Sequence, residues 1–449
     1  MKSQKTAIVI LGASGDLAKR KLVPALLNIC KNREIDDSTI IVGSGRSAFT
    51  DDSFRALFNV PPPFARRLFY HQGIPGLKKY VSEKGDFERI IVFFALPPQV
   101  YSSTAKELVS GGFGAETSII IEKPFGSDYA SAVDLNRELA SYFDESRIYR
   151  NDHYLAKEAV QNILVFRFAN ALFYPVWNHR YIESIQINAS ETEGVGTRAA
   201  YFDKAGILRD MVQNHLMQLL CLLTMEAPQS FSAEDISSRK IDVLRSLRIL
   251  ECHRSQYEGY RAEQGVDPNS GMETYAELRL HINNFRWAGV PIYIRSGKAL
   301  GRSGTEIGVR FKPLPTGLFE NQPALSPNTI VFLIQPEPGI ILSMASKEPG
   351  GEIKLTKTDM TMCFNQSFEK EAPEAYERLL VDAVRGDHTL FVNAREAELS
   401  WKLLADFLDK GELGTYPRGG QPRSGFQFDW VPFESYGRFC TVRRPRSSM

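Results

Sequence analysis

Four side chains that could bind and transform a charged substrate lie close together: Asp152, His153, Tyr154 and Lys157. If the chain is helical from His153 onward, Lys157 lies one turn past His153, and these two share a face with Tyr154. Donors on the first turn of a helix suit a phosphate, because the free N–H groups and the helix dipole add to them. A solvated polar helix start is the alternative that this stretch alone leaves open.

A second candidate is His215, in a predicted helix over Ile207–Met225. Asp210 and Asn214 share a face of this helix, whereas His215 lies nearer its apolar stripe. A core histidine is therefore the default interpretation. A half-buried histidine beside a carboxylate is also how a general base is tuned, and the spacing does not decide between the two.

The elements that position these groups begin with a short β-branched strand, Thr6–Leu11. A glycine turn follows, with Gly12, Ser14, Gly15, Asp16 and Leu17, and leads into a predicted helix. In this context glycines let the backbone approach a pyrophosphate at a helix N-terminus. The spacing is GxxGDLA rather than GxGxxG, so a plain strand–turn–helix is the competing interpretation.

The cofactor is indicated by the end of the next predicted strand, Thr39–Val42. An NAD enzyme usually places an acidic residue there for the ribose 2′-hydroxyl, but this chain has small residues and Arg46. An arginine suits a 2′-phosphate, so NADP is favoured. A surface arginine is the alternative.

Two further apolar runs, Ile90–Leu96 and Ser118–Ile121, are predicted to be buried strands. The second leads to Lys123 in the sequence EKPFG. Ligands bind at the carboxyl edge of such sheets, so Lys123 is placed to reach a sugar and a nicotinamide. A surface lysine in a turn is the alternative.

The remaining two thirds of the chain predict one large, mostly antiparallel sheet with helices. The expected fold is an α/β Rossmann-type N-terminal domain, residues 1–150, followed by a larger α+β domain, residues 151–449, for substrate binding. The strands are predicted over Ile182–Ala189, Tyr275–Ile282, Pro291–Ile294, Ile307–Phe311, Ile330–Gln335 and Ile340–Ala345, and the helices over Ile207–Met225, Ile241–Leu250, Glu374–Val384 and Glu398–Leu408.

Composition narrows the class of protein. The 449 residues are 43% hydrophobic and 24% charged, with a net charge of +1, so neither a nucleic-acid nor a membrane surface is indicated. Five scattered cysteines without a CxxC motif argue for reduced thiols, a cytoplasmic setting and no zinc site. No metal site is predicted.

Several motifs occur together in order: GASGDLAKRKL, FFALPP, EKPFG, DHYLAKE, YFDKAGILRDMVQNH and RSGKAL. Together they closely resemble the glucose-6-phosphate dehydrogenase family, and the likeness runs from Gly12 to at least Trp401. The resemblance implies an NADP-dependent, sometimes NAD-dependent, oxidoreductase with a Rossmann-type domain. Such an enzyme oxidises C1 of glucose 6-phosphate to the lactone, the opening step of the pentose phosphate pathway. It also implies a homodimer or homotetramer.

The resemblance implies a role for each matching residue. His215 would be the general base, Asp152 would hold its imidazole, and Lys123 would complete the catalytic set and contact the cofactor. The substrate-binding residues would be His153, Tyr154 and Lys157 for the 6-phosphate, and Glu191, Asp210 and Lys298 for the sugar. The cofactor site would comprise Gly12, Ser14, Gly15, Asp16, Leu17, Arg46, Ala95, Leu96 and Pro97.

Some positions depart from the family pattern. Asn151 stands where an aliphatic residue is usual, Ala156 replaces a glycine, and the stretch from Ser190 to Arg198 differs. A related hexose 6-phosphate, such as an amino sugar phosphate, is therefore an alternative substrate. Two further hypotheses are a Rossmann oxidoreductase of unphosphorylated sugars and a catalytically silent NADP-binding sensor. DHYLAK argues against the oxidoreductase of unphosphorylated sugars, and the retained Asp152 and His215 argue against the sensor.

Overall fold

The computed structural model describes residues 5–314, 319, 327–364 and 373–433. Within these residues the chain forms two compact units. The first comprises the described parts of 1–156, 228–241 and 373–402, and the second those of 157–227, 242–372 and 403–449. The division into domains 1–150 and 151–449 assumed two continuous segments and stays a prediction.

The first unit contains a seven-stranded sheet with the order β15-β6-β5-β4-β1-β2-β3. Its strands are parallel except β15, which pairs antiparallel with β6. The central strands are almost entirely buried β-branched and aromatic runs, as a sheet covered on both faces requires. The strands are β1 Thr6–Leu11, β2 Ile40–Gly45, β3 Leu68–Gln72, β4 Arg89–Phe94, β5 Thr117–Glu122, β6 Ile148–Asn151 and β15 Phe391–Val392.

Helices connect these parallel strands. The one after β5 begins at an Asp128 cap, whose side chain accepts from the Ser131 N–H while the Ser131 hydroxyl accepts from the Asp128 N–H. The helices are α1 Val23–Lys31, preceded by a π-helical turn Ala18–Leu22, then α2 Asp51–Arg55, α3 Pro62–Ala65, α4 Leu77–Lys84, α5 Tyr101–Ser110, α6 Tyr129–Ala140, α11 Ala375–Arg385 and α12 Ala394–Leu404. Short 3₁₀ helices span Pro98–Val100 and Glu145–Arg147.

The second unit is built on a nine-stranded sheet with the order β14-β13-β12-β11-β7-β10-β9-β8-β16. Among the described residues, only two pairs of this sheet, β7 with β10 and β8 with β16, are parallel. The predicted fold class is confirmed: a Rossmann-like sheet and a larger, mostly antiparallel sheet. The strands are β7 Ile182–Ser190, β8 Leu247–Tyr257, β9 Tyr275–Ile282, β10 Ile292–Gly297, β11 Gly304–Phe311, β12 Thr329–Gln335, β13 Gly339–Lys347, β14 Leu355–Cys363 and β16 Leu413–Tyr416.

One predicted helix of this region is wrong in part. The sequence predicted a helix over Ile241–Leu250, but the helix ends at Ser246 and β8 begins at Leu247. The remaining helices are α7 Glu158–Phe168, α8 Ala199–Ile207, the π-helix Leu208–Leu216, α9 Met217–Thr224 and α10 Ala233–Ser246, with 3₁₀ helices at Tyr174–Val176, Gly196–Arg198 and Tyr260–Ala262.

The cysteines differ from expectation at one position. Cys30, Cys221 and Cys252 are free, as the prediction of reduced thiols requires. Cys363, at the end of β14, is disulfide-bonded, so the prediction is wrong there. The prediction rested on sequence spacing, which does not report pairing between distant cysteines. Cys440 lies outside the described residues.

No helix among the described residues combines the length and the apolar character that crossing a membrane needs.

Candidate active site

The glycine turn after β1 forms a cradle at the carboxyl edge of the first sheet. Gly12 has φ +83°, a conformation that favours glycine, and its N–H donates to Ser44 O at 2.8 Å. A Cβ at Gly12 would lie 2.3 Å from the carbonyl oxygen of Ala95. Gly15 N–H donates back to Gly12 O at 2.9 Å, which closes the turn. Only glycine at position 12 therefore allows strands β1 and β4 to end side by side.

A cavity of about 620 Å³ opens over this cradle. Seven predicted cofactor residues line it: Gly12, Ser14, Gly15, Arg46, Ala95, Leu96 and Pro97. The predicted residues Asp16 and Leu17 do not line it, and the exposed Asp16 carboxylate instead pairs with Arg20 at 2.7 Å. Other lining residues were not predicted from the sequence, among them Ser44, Gly73, Thr104 and Glu107. Backbone and small side chains at a helix start suit a dinucleotide phosphate.

Lys123 follows β5 at the same edge of the sheet but does not line the cavity. The Lys123–Pro124 peptide is cis. The indole N–H of Trp401 donates to Phe125 O at 2.8 Å, in a buried contact just beyond the lysine. This hydrogen bond holds the backbone just after Lys123.

The stretch from Asp152 to Lys157 is a turn, so the condition that the chain be helical from His153 onward is not met. Asp152 is buried, its Oδ1 accepts from Tyr154 N–H at 3.0 Å, and its carbonyl accepts from Leu155 N–H at 3.0 Å. An aspartate that binds the backbone two residues on favours a turn over a helix. Helix α7 begins only at Glu158, and Lys157 is its extended N-cap.

Within this turn the rings of His153 and Tyr154 lie edge to face, with centroids 5.2 Å apart. The His153 ring is also nearly parallel to that of Tyr376, at 6.4 Å. His153 and Tyr154 belong to the first unit and Lys157 to the second. In its own unit, Lys157 donates to Gln335 Oε1 at the end of β12.

Glu191 and Lys298 come together in the second unit. Ser190 and Gly297 are register partners at the ends of the parallel strands β7 and β10, so the residues that follow them lie side by side. The ammonium of Lys298 forms an ion pair with the Glu191 carboxylate and lies 5.2 Å from the ring centroid of Phe202. Lys298 is buried, whereas Glu191 is exposed enough to meet a ligand.

His215 and Asp210 lie on the π-helix Leu208–Leu216, and both are buried. Gly206, with φ +67°, bends the chain into this helix. The Glu273 carboxylate accepts from Leu208 N–H at 3.2 Å and pairs with Arg254 at 2.9 Å, in the buried interior. A carboxylate at a helix N-terminus complements the helix dipole.

At the C-terminal end of this helical run, side-chain N–H groups donate to the backbone carbonyls. Buried Arg167 donates to the carbonyls of Leu222 and Met225, each at 2.6 Å. The indole N–H groups of Trp177 and Trp287 bind two more carbonyls there, at 2.9 and 2.7 Å. Burial lowers the pKa of Arg167 to about 9. The Glu273 carboxylate at one end and the side-chain N–H donors at the other end hold the helical run that carries His215 in a fixed position.

Profiles of two domains match this chain. The profile described as "Glucose-6-phosphate dehydrogenase, NAD binding domain" matches residues 9–61 and 65–162, and "Glucose-6-phosphate dehydrogenase, C-terminal domain" matches residues 164–424. The chain belongs to the glucose-6-phosphate dehydrogenase family. It is therefore a member of an enzyme family of oxidoreductases, with a domain that binds a nicotinamide cofactor.

Relatives and solved structures agree with this family. The glucose-6-phosphate 1-dehydrogenase of Bacillus subtilis (strain 168) is 40% identical over 89% of this chain and 90% of its own. The cytoplasmic isoform of Solanum tuberosum is 37% identical over 92% and 88%. A solved glucose-6-phosphate dehydrogenase "in complex with its substrate glucose-6-phosphate" has a TM-score of 0.88 at 33% identity and covers 94% of this chain and 96% of its own. The Mycobacterium avium enzyme gives 0.85 at 32%, covering 96% and 100%.

Several further polar residues of this region were not predicted from the sequence. Arg198 lies 3.9 Å from the Asp210 carboxylate. Burial, with the Asp210 charge second, raises the pKa of Tyr201 to about 12. Glu122 lies inside the EKP motif, which is a sequence signal for its position. Glu273 gave no signal, because its partner Arg254 and its helix are distant in sequence.

Proposed function

We propose that this protein catalyses the NADP-dependent oxidation of D-glucose 6-phosphate at C1 to 6-phospho-D-glucono-1,5-lactone, the first step of the oxidative pentose phosphate pathway. The observation that carries the proposal is the close likeness to a solved dehydrogenase that holds glucose 6-phosphate as its substrate. The names of the Bacillus and Solanum relatives support it. A cytoplasmic location is proposed from the potato isoform.

NADP is the proposed cofactor, and NAD the alternative. The cavity over Gly12 is lined by the glycine turn and by small side chains, and Arg46 lines it between Ser44 and Ser47. The guanidinium of Arg46 would pair with a 2′-phosphate, whereas an acidic residue there would repel it. A bound nicotinamide supplies the acceptor for a hydride.

His215 is the proposed general base, which takes the proton of the C1 hydroxyl while C1 loses its hydride. Asp152 is proposed to hold the imidazole and to stabilise its protonated form. The burial of His215 and the anchoring of both ends of its helix support this role, because a base must be held in one place. Lys123 is proposed to hold the reacting sugar and the cofactor.

The 6-phosphate is proposed to bind His153, Tyr154 and Lys157, whose side chains supply charge-assisted and hydroxyl donors. Glu191, Asp210 and Lys298 are proposed to bind the sugar hydroxyls. The Glu191–Lys298 ion pair supports this, since it offers an acceptor and a donor at one strand edge. Binding of the 6-phosphate, which is remote from C1, would hold C1 in position against the cofactor.

A homodimeric or homotetrameric assembly is also proposed, with neither a nucleic-acid nor a membrane partner. Light scattering of the purified protein measures the assembly directly, and a mass of one chain would contradict it.

The activity is tested by following the near-ultraviolet absorbance of the reduced nicotinamide with NADP or NAD. The substrates are glucose, glucose 6-phosphate and a panel of other hexose 6-phosphates, amino sugar phosphates included. Rapid reduction with glucose 6-phosphate and none with glucose is expected. Turnover only with another 6-phospho sugar would show that this sugar, and not glucose 6-phosphate, is the substrate. Tight NADP binding without any turnover would overturn the proposal.

A further inference from the structure

Glu122 is a carboxyl group of the first unit to which none of the proposed steps gives a role. It ends β5 immediately before Lys123, and its register partner is Asn151, which ends β6 immediately before Asp152. One cross-strand pair therefore precedes two of the proposed catalytic residues.

Two donors converge on one oxygen of this carboxyl. Asn151 Nδ2 donates to Glu122 Oε1 at 2.6 Å, and the hydroxyl of Tyr376, on α11, donates to the same oxygen at 3.2 Å. The Tyr376 ring is the one that lies parallel to His153. Glu122 is therefore linked by contact to Asn151 and, through Tyr376, to the proposed phosphate site.

Asn151 is 1% exposed, and its Oδ1 is buried without a hydrogen-bond partner in the described part of the chain. A buried, unpaired acceptor is costly. A carboxamide offers a donor at one end and an acceptor at the other. An ionised Glu122 accepts from Nδ2, whereas a protonated Glu122 donates to Oδ1 once the amide turns over. The pair thus has two complementary arrangements, one for each charge of Glu122.

The polar and charged groups around Glu122 come from three segments. Lys123 directly follows β5, Asn151 ends β6 and is followed by Asp152, and Tyr376 lies on α11. The Tyr101 hydroxyl donates to the Glu122 carbonyl at 3.0 Å. Burial raises the pKa of Glu122 to about 7, against the opposing effects of Asn151, Tyr376 and Lys123, and Asp152 adds to the rise. Its charge therefore changes near neutral pH.

We propose that Glu122 and Asn151 form a carboxyl–carboxamide pair that positions Lys123 and Asp152, and that the ionised pair is the active arrangement. Glu122 is a positioning residue, since it acts through its neighbours. The inference rests on the proposed function, because the positioned groups are the proposed catalytic residues. Ionisation fixes Nδ2 against Oε1 and places a negative charge beside Lys123.

The test is the pH profile of kcat/KM for glucose 6-phosphate. On the acid limb of the wild type, two groups must lose a proton, His215 and Glu122, so the slope of log kcat/KM against pH should exceed one. Glu122→Gln keeps the shape but cannot ionise. It should reduce the slope to one and lower kcat/KM above pH 7 by roughly 3- to 10-fold, the equivalent of one hydrogen bond.

Two variants separate positioning from simple damage. Asn151→Leu and Tyr376→Phe each remove a donor to the ionised carboxyl, so each should move the second ionisation to higher pH. A merely structural role would lower kcat without moving the profile. Glu116→Gln is the matched control, because Glu116 lies at the opposite end of β5, paired with Lys78; its profile should equal that of the wild type.

Infrared difference spectroscopy gives a readout that needs no turnover. The wild type should show a carboxylic-acid band that titrates near pH 7 and is missing in Glu122→Gln. A wild-type profile in Glu122→Gln, with glucose 6-phosphate turned over normally, would overturn the inference and leave the proposed function standing. Absence of turnover in the wild type would instead remove the proposed function, and the positioning role with it.

Discussion

Glu191 and Lys298 form an ion pair at the ends of the parallel strands β7 and β10. The lysine is buried and the glutamate is partly exposed, so the glutamate supplies the charge that makes a buried ammonium tolerable. Neither residue is near the other in sequence. The strand register alone makes them neighbours.

We predict that Glu191→Gln raises the KM for glucose 6-phosphate by roughly 10-fold, because a charged acceptor for sugar hydroxyls is lost. It should also lower stability, since the buried Lys298 loses its ion-pair partner. Steady-state kinetics and thermal unfolding measure both effects. Lys298→Met in the Glu191→Gln background should restore stability but not KM. A KM equal to that of the wild type would remove Glu191 from the sugar site.

His215→Asn should lower kcat by roughly 10²–10⁴-fold, the usual contribution of a general base. The affinity for NADP, measured by fluorescence titration, should stay the same. The control is His281→Asn, which replaces a histidine of β9 that is outside the proposed site. Full kcat in the His215 variant would end its role as base.

Lys157→Ala should raise the KM for glucose 6-phosphate by roughly 10- to 100-fold, because hydrogen bonds to charged groups contribute about 1.5–3 kcal/mol each. Lys157→Arg should recover part of this loss. Lys204→Ala, an exposed lysine of α8, serves as control. An unchanged KM in Lys157→Ala would show that the phosphate binds elsewhere.

Arg46→Ala should weaken NADP binding by roughly 10- to 100-fold while changing NAD binding little, because only NADP carries the 2′-phosphate. Dissociation constants for both cofactors, from fluorescence titration, give the comparison. Arg66→Ala tests for a general effect of surface charge in the same unit. Equal losses for both cofactors would contradict selection by Arg46.

The raised pKa of Glu122 also predicts a pH dependence of stability. The folded protein binds the Glu122 proton more tightly than the unfolded chain, so the stabilisation is complete below about pH 4.5 and is lost as pH rises through about 7. Relative to wild type, Glu122→Gln should be more stable at pH 8 than at pH 5, by on the order of 1–3 kcal/mol. Denaturant unfolding at the two pH values measures this difference in the free energy of unfolding. If the difference is the same at both pH values, Glu122 is not the titrating group.

Much of the fold followed from local patterns. Buried β-branched runs such as Thr6–Leu11 and alternating runs such as Tyr275–Ile282 predicted β1 and β9 within their observed bounds. The pattern of β8 was misleading, because its first residues extend the apolar periodicity of α10. At Asp152, the side chain accepts a hydrogen bond from the backbone, and the chain forms a turn there rather than a helix.

Side-chain partnerships across strands were the part that sequence could not predict. The glycines and Arg46 were found because the cradle is a local motif. Glu122 with Asn151, and Glu273 with Arg254, depend on strand register and on packing between distant segments. Spacing along the chain carries no information on either pair.

The antiparallel pairing of β15 with β6 has a consequence for biosynthesis. Asn151 and Arg150 have Phe391 and Val392 as their partners, so the strand that leads to Asp152 is completed by residues made some 240 positions later. In a nascent chain whose β15 has not yet been synthesised, β6 is an unpaired edge strand, which can pair with other chains. Ribosome pausing or truncation before this strand should therefore yield chains that need protection by chaperones, even though most of the first sheet has already been synthesised.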